Sequence, residues 1–140
     1  MLKRRCLLRD THGTAAIEFA IVAPLFILIL LSLVGYGIYL SVAHSVQQLA
    51  ADAARASIAG LSEAERQQLA NSYIHTSKIS NGFLDQDKLA VRVEDDTNNS
   101  YQFTVTLTYD ASDLPIWSLY SFAMPGKEIS RYSTIRVGGV

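Results

Sequence analysis

Residues 19–43 run for 25 positions without an Asp, Glu, Lys, Arg, His, Asn or Gln. At about 1.5 Å of helical rise per residue such a stretch covers roughly 37 Å, against a hydrocarbon core of about 30 Å. It is long enough to span a bilayer with some tilt. It also exceeds the roughly 7–15-residue apolar region of a cleaved secretory signal. Tyr36 and Tyr39 lie toward its far end, where amphipathic rings favour the membrane–water boundary.

Helical spacing persists past the span. Val46, Leu49, Ala50 and Ala53 fall three or four apart within residues 45–58, a stretch of good helix formers. Asp52 and Arg55 are three apart, close enough to pair on one face. Gly60 offers a stop. Ser62 and Glu65 then have the spacing of a capping box, which predicts a second helix over residues 63–76 burying Leu69, Tyr73 and Ile74. Asn81 and Gly82 mark a turn. Beyond it the period changes to two: Leu89, Val91 and Val93 alternate with polar or small residues, and Tyr101, Phe103, Val105, Leu107 and Tyr109 alternate with Gln102 and three threonines. Two such runs joined by a polar tract predict a β-hairpin with one apolar face. A third strand is expected over residues 128–137. The connection at 114–122, LPIWSLYSF, is unusually apolar. It covers one edge of the core, with a short helix, or else forms a docking surface. The expected fold is α+β, a long N-terminal membrane helix continuing into a second helix and a short antiparallel sheet.

Charge gives the helix a direction. Lys3, Arg4, Arg5 and Arg9 precede the span against the single acid Asp10, and no Lys or Arg follows it until Arg55. The positive-inside rule then places the N-terminus in the cytoplasm and the residues after about 44 across the membrane. Two features depart from a plain anchor. Pro24 removes a backbone donor inside the run and can kink the helix. Glu18 is the only Asp, Glu, Lys or Arg between Asp10 and Asp52. An acid at mid-membrane costs about 2.5–3.5 kcal/mol on insertion scales and less near the interface. Glu18 therefore either sits in the cytoplasmic headgroup zone or has a cationic partner close by.

The run RDTHGTAAIEFAIVAP, residues 9–24, combines a short basic leader, a glycine, and small residues followed by Glu18 and Phe19. It looks like a type IV prepilin signal, and it resembles the TadE-like minor pseudopilins of tight-adherence (Flp-type) pilus systems. The block LAADAARASIAG, residues 49–60, is similar to the Ala- and Arg-rich stretch that follows the membrane segment in that family. The specific resemblance covers roughly the first 60 residues; the β-rich remainder agrees in pattern. The resemblance implies a pilin-like outer domain and cleavage by prepilin peptidase between Gly13 and Thr14. Residues 1–13 would then be a leader, 14–44 the membrane helix and 45–140 the extracytoplasmic domain. It implies that Glu18 meets the N-terminal amine of a neighbouring subunit during assembly. The implied partners are prepilin peptidase, other minor pseudopilins, the pilus assembly machinery and the lipid of the bacterial inner membrane. Thr14 stands where many type IV pilins have Phe, which separates this chain from the major-pilin pattern at the residue that would be methylated.

Composition narrows the chemistry. The 140 residues carry 12 Lys and Arg against 13 Asp and Glu, a net charge of −1, with no basic footprint for nucleic acid. Loss of residues 1–13 would remove four basic residues and one acid, leaving 8 against 12 and a net charge of −4. About 97 residues follow the span, enough for a small core and too few for a large multi-domain enzyme. Cys6 is the single cysteine, which precludes an intramolecular disulfide and a multi-cysteine metal site. His12, His44 and His75 form no H-E-x-x-H arrangement. Asp85/Asp87 and the acids at 94–96 could offer oxygen to calcium but match no EF-hand loop. The sequence thus points to no enzyme, metal, cofactor or small-molecule substrate. The other reading it leaves open is an uncleaved, single-pass anchored binding module of the cell envelope.

Overall fold

A computed structural model describes residues 11–77, 82–99, 101–118 and 126–138. The basic leader with Cys6, Asn81 of the expected turn, and residues 119–122 of the apolar connection lie outside them. In chain order the elements are helix α1 (Thr11–Ala56), a 3₁₀ turn (Ser57–Ala59), helix α2 (Glu63–Thr76), a 3₁₀ turn (Gln86–Lys88), strands β1 (Leu89–Asp95) and β2 (Gln102–Asp110), a 3₁₀ turn (Pro115–Ser118) and strand β3 (Glu128–Arg136). The fold is the α+β arrangement expected. The chain divides into two units, one ending at Val34 and one beginning at Gly35.

In the second unit, β2 is the central strand of a three-stranded antiparallel sheet ordered β1-β2-β3. Leu89 lies opposite Tyr109 and Val93 opposite Val105, while Phe103 faces Ile135 and Tyr109 faces Ile129 across the other ladder. The two-residue period decides which face is covered: Phe103, Val105, Leu107 and Tyr109 are buried, and Thr104, Thr106 and Thr108 between them are not. The buried set joins Val42, Ala43, Val46, Leu49, Ala50, Ala53 and Ala54 of α1 in one core. These α1 positions follow the 3/4 spacing of a helix face. Its four alanines present little bulk. Burying each large side chain, such as Phe103 or Leu107, contributes about 1.5–3 kcal/mol. Tyr109 is buried too; its hydroxyl donates to the Phe83 carbonyl (3.2 Å) and accepts from the Asp85 N–H (3.4 Å).

Helix α2 starts where the capping box placed it. The Ser62 hydroxyl accepts from the Glu65 N–H (3.2 Å), and the Glu65 carboxylate accepts from the N–H of Leu61, one residue before the cap (2.9 Å). Its buried face differs from expectation. Arg66, Ala70 and Ile74 are buried, whereas Leu69 and Tyr73 are only partly so. The core-facing row is thus the i, i+4, i+8 line through Arg66, and a charged residue on it hides that line from an apolar pattern. Gly60 ends the first helical region for a reason other than a left-handed cap. Its backbone is extended (φ −75°, ψ 133°) after the 3₁₀ turn that replaces the expected last helical residues. A Cβ there would stand 2.8 Å from both the backbone nitrogen and the Cγ of Arg66. Gly60→Ala should therefore force the two segments apart and cost about 1–3 kcal/mol, as overpacking does. A guanidinium midpoint shift reads this directly, and an unchanged midpoint would refute the close-approach account.

Candidate functional site

In the first unit α1 carries its apolar side chains outward. Ile17, Phe19, Ile21, Val22, Leu25, Phe26 and the large apolar residues from there through Leu33 and Val34 are exposed, Phe19 at 73% and Leu33 at 70%. The helix contains an 18-residue window of mean hydropathy 2.7, none of it buried inside the chain, and is long and apolar enough to cross a membrane. Polar groups on it are satisfied locally: the Ser32 hydroxyl donates to the Leu28 carbonyl (2.8 Å). The backbone remains helical through Pro24. An apolar surface of this extent has to be covered by lipid or by other helices.

The residues singled out in the sequence lie along this helix rather than in a cleft. Beyond its chain neighbours and its own stretch of helix backbone, no described atom comes within 4 Å of a Cβ built on Gly13. Thr14, Glu18 and Phe19 are exposed. Among the described residues Glu18 makes no ion pair. What the arrangement offers is a single carboxylate on an otherwise apolar surface.

Residues 13–55 match the family model of TadE-like proteins. The TadE-like segment begins at Gly13, takes in Thr14, Glu18, Phe19 and Pro24, and ends at Arg55, whose guanidinium pairs with Asp52 at 2.5 Å. It covers the whole apolar helix and the α1 face that packs on the sheet. Over this segment the chain is similar to TadE-like proteins, and the helix within it is long and apolar enough to cross a membrane. No curated protein matches the chain, and no solved structure does.

The second unit places its other candidates in structural roles. Asp85 caps the 3₁₀ turn by accepting from the Asp87 N–H (3.1 Å), Glu94 pairs with Arg92 (2.7 Å), and Asp96 accepts from the Asn98 N–H and the Gln102 amide. Among the described residues no group of three or more His, Cys, Asp or Glu is placed to hold a metal. An open cavity of about 880 Å³ is lined by His75, Asp85, Asp87, Lys88, Tyr109 and Asp113, among others. The Lys88 ammonium hydrogen-bonds the Asp113 carboxylate there, which raises its pKa, as a partner that favours the charged form must. Hydrogen bonds from Ser112 lower that of Asp110 nearby. His44 and His75 are both exposed. Among the described residues this is the pattern of solvated ion pairs, with no nucleophile set against a base.

Two residues that sequence reasoning passed over organise the domain. Arg66, 9% exposed, holds the Gly60 carbonyl through Nε (3.1 Å) and Asp95 through Nη1 (2.5 Å), and its guanidinium lies 4.8 Å from the Phe103 ring centroid. Gln67 acts as a substitute strand: its amide donates to the Val91 carbonyl (3.0 Å) and accepts from the Val93 N–H (2.8 Å). It thereby closes part of the outer edge of β1 against pairing with another chain. Only the strand register shows this role.

Proposed function

We propose that this protein is a minor pseudopilin of a tight-adherence (type IVb, Flp-like) pilus. It is inserted in the bacterial inner membrane with its N-terminus cytoplasmic, cut by prepilin peptidase between Gly13 and Thr14, and used in assembling the pilus with other minor pseudopilins. The observation that carries this reading is the exposed apolar helix with its single carboxylate at Glu18, lying wholly within the TadE-like match at residues 13–55. The basic leader supports the orientation, because Lys3, Arg4, Arg5 and Arg9 hold that end on the cytoplasmic side. Once the leader is cut away, the new amine of Thr14 is the cation that a neighbour's Glu18 lacks. A charge pair in a low-dielectric setting depends strongly on geometry, so the contact sets the axial register of packed helices. Phe19 and the apolar residues beyond it supply the lateral packing, and Pro24 shapes that stretch of the helix.

The deciding measurement is the intact mass and N-terminal sequence of the membrane-resident protein, made with and without a prepilin peptidase. A chain beginning Thr14-Ala15-Ala16 only with the peptidase present is the expected result. The single cysteine gives a second readout: Cys6 leaves with residues 1–13, so the processed chain takes up no thiol reagent. A chain beginning at Met1 under both conditions overturns processing and leaves an anchored binding module of the envelope.

A further inference from the structure

Trp117 is the only tryptophan in the chain, and it sits at a telling level along α1. A bilayer's hydrocarbon takes about 20 helical residues; counted from Phe19, these end at Ile38. The 3₁₀ turn Pro115–Ser118 packs on α1 just there. Ile116, 1% exposed, lies against Gly35, where an added Cβ would come 3.9 Å from two of its carbons. On the same stretch α1 still presents apolar residues outward, with Leu40 60% exposed and Tyr36 also exposed. Beside them Gly35 is buried and Ile38 and Tyr39 are half-buried against the core, whose continuous α1 face begins at Val42. The turn therefore flanks a part of α1 that is apolar, outward-facing on one side and at the end of the span.

The chemistry of the turn suits the same level. Trp117 is half-buried, and its indole N–H donates to the Ala111 carbonyl (2.5 Å), so the ring needs no water for its donor. The ammonium of Lys127, an exposed residue, lies 5.9 Å from the ring centroid. An aromatic ring with one satisfied polar handle, beside a cation on a long stem, is the combination found at headgroup level.

We propose that residues 115–117, together with Tyr36 and Leu40, rest in the interfacial layer of the bilayer, with Trp117 at headgroup depth and Lys127 directed to lipid phosphate. The outer domain is then seated on the membrane, which fixes how it is turned while the subunit waits to be assembled. The inference rests on the membrane-spanning reading of α1, and the test separates the two.

The full chain is reconstituted in phosphatidylcholine/phosphatidylglycerol vesicles whose acyl chains carry bromine at either the 6,7 or the 11,12 positions, and Trp117 emission is read. The shallow bromines should quench it by roughly half and the deep ones less, as expected of a ring near the interface. Emission unchanged by either lipid, in protein that floats with the vesicles, overturns the seating and leaves the anchor intact. The face then belongs to water or to a protein partner. Stronger quenching by the deep bromines overturns the headgroup depth. Protein that fails to float overturns the span itself and the seating with it.

Discussion

Glu18→Gln is expected to leave the protein in the membrane and normally processed, and to remove it from pilus assembly. The side chains flanking Glu18 in sequence, Ile17 and Phe19, are 65% and 73% exposed, so the carboxylate stands on a surface made for an apolar medium. Neutralising it does not hinder insertion, because an acid at this end of the span already costs less than the about 2.5–3.5 kcal/mol of one at mid-membrane. The amide keeps the shape and an acceptor oxygen, which confines the change to charge. On the proposed contact, the neighbour's Thr14 amine would then be left as an unpaired cation among apolar helices. Removing one partner of a buried pair costs about 3–5 kcal/mol, or roughly 10²–10⁴-fold in association. Sheared pili, counted by microscopy or by blotting, should fall at least about tenfold, with mass and vesicle flotation unchanged. Pili at parental abundance would sink the assembly role of Glu18.

That expectation could be framed from the sequence because an isolated carboxylate in an apolar run needs no tertiary information to be noticed. The hairpin was legible for a related reason. Its two-residue alternation at Val91, Val93, Phe103, Val105 and Leu107 encodes which face is covered, and the structure pairs Val93 with Val105 accordingly. Helix α2 was legible in its extent, through Ser62 and Glu65, and misread in its orientation. With few large apolar residues on it, Leu69 and Tyr73 drew attention to a face that is only half covered, while Arg66 marked the face that is buried. Hydropathy cannot report a charge that is buried because its partners are supplied from elsewhere. Gln67 shows the same limit, since its two partners on β1 lie 24 and 26 residues away in sequence. The apolar connection at 114–122 was noticed as unusual, and Leu114 and Ile116 do enter the core through a short 3₁₀ turn. Only the packing of Ile116 on Gly35 gave that segment a level along α1.

Arg66→Ala should destabilise the α+β domain by about 2–4 kcal/mol, the sum expected from one or two charge-assisted hydrogen bonds and a lost ring contact. Arg66 is where the 3₁₀ turn after α1, helix α2 and the first two strands meet. Its backbone carbonyl accepts from the buried Ser57 hydroxyl (3.1 Å), its Nε reaches Gly60, its Nη1 reaches Asp95, and its guanidinium carbon lies over the Phe103 ring. The planar fork matters as much as the charge. A lysine offers one ammonium and cannot bond the Gly60 carbonyl and Asp95 while lying over the ring, so Arg66→Lys should lose about half as much as Arg66→Ala. Asp95 is the lesser partner. Its side chain is 38% exposed, and an ion pair open to water on one side contributes only about 0.2–1 kcal/mol. Asp95→Asn should therefore cost less than either change at Arg66. For a domain of this size each kcal/mol moves the midpoint by about 4–8 °C, which puts Arg66→Ala roughly 10–25 °C below the parent. Thermal melts followed by far-UV circular dichroism in detergent would give the order Asp95→Asn, Arg66→Lys, Arg66→Ala. If Arg66→Ala melts within about 3 °C of the parent, a loss well under 1 kcal/mol, then the alanines of α1 and the apolar face of β2 hold the domain without it.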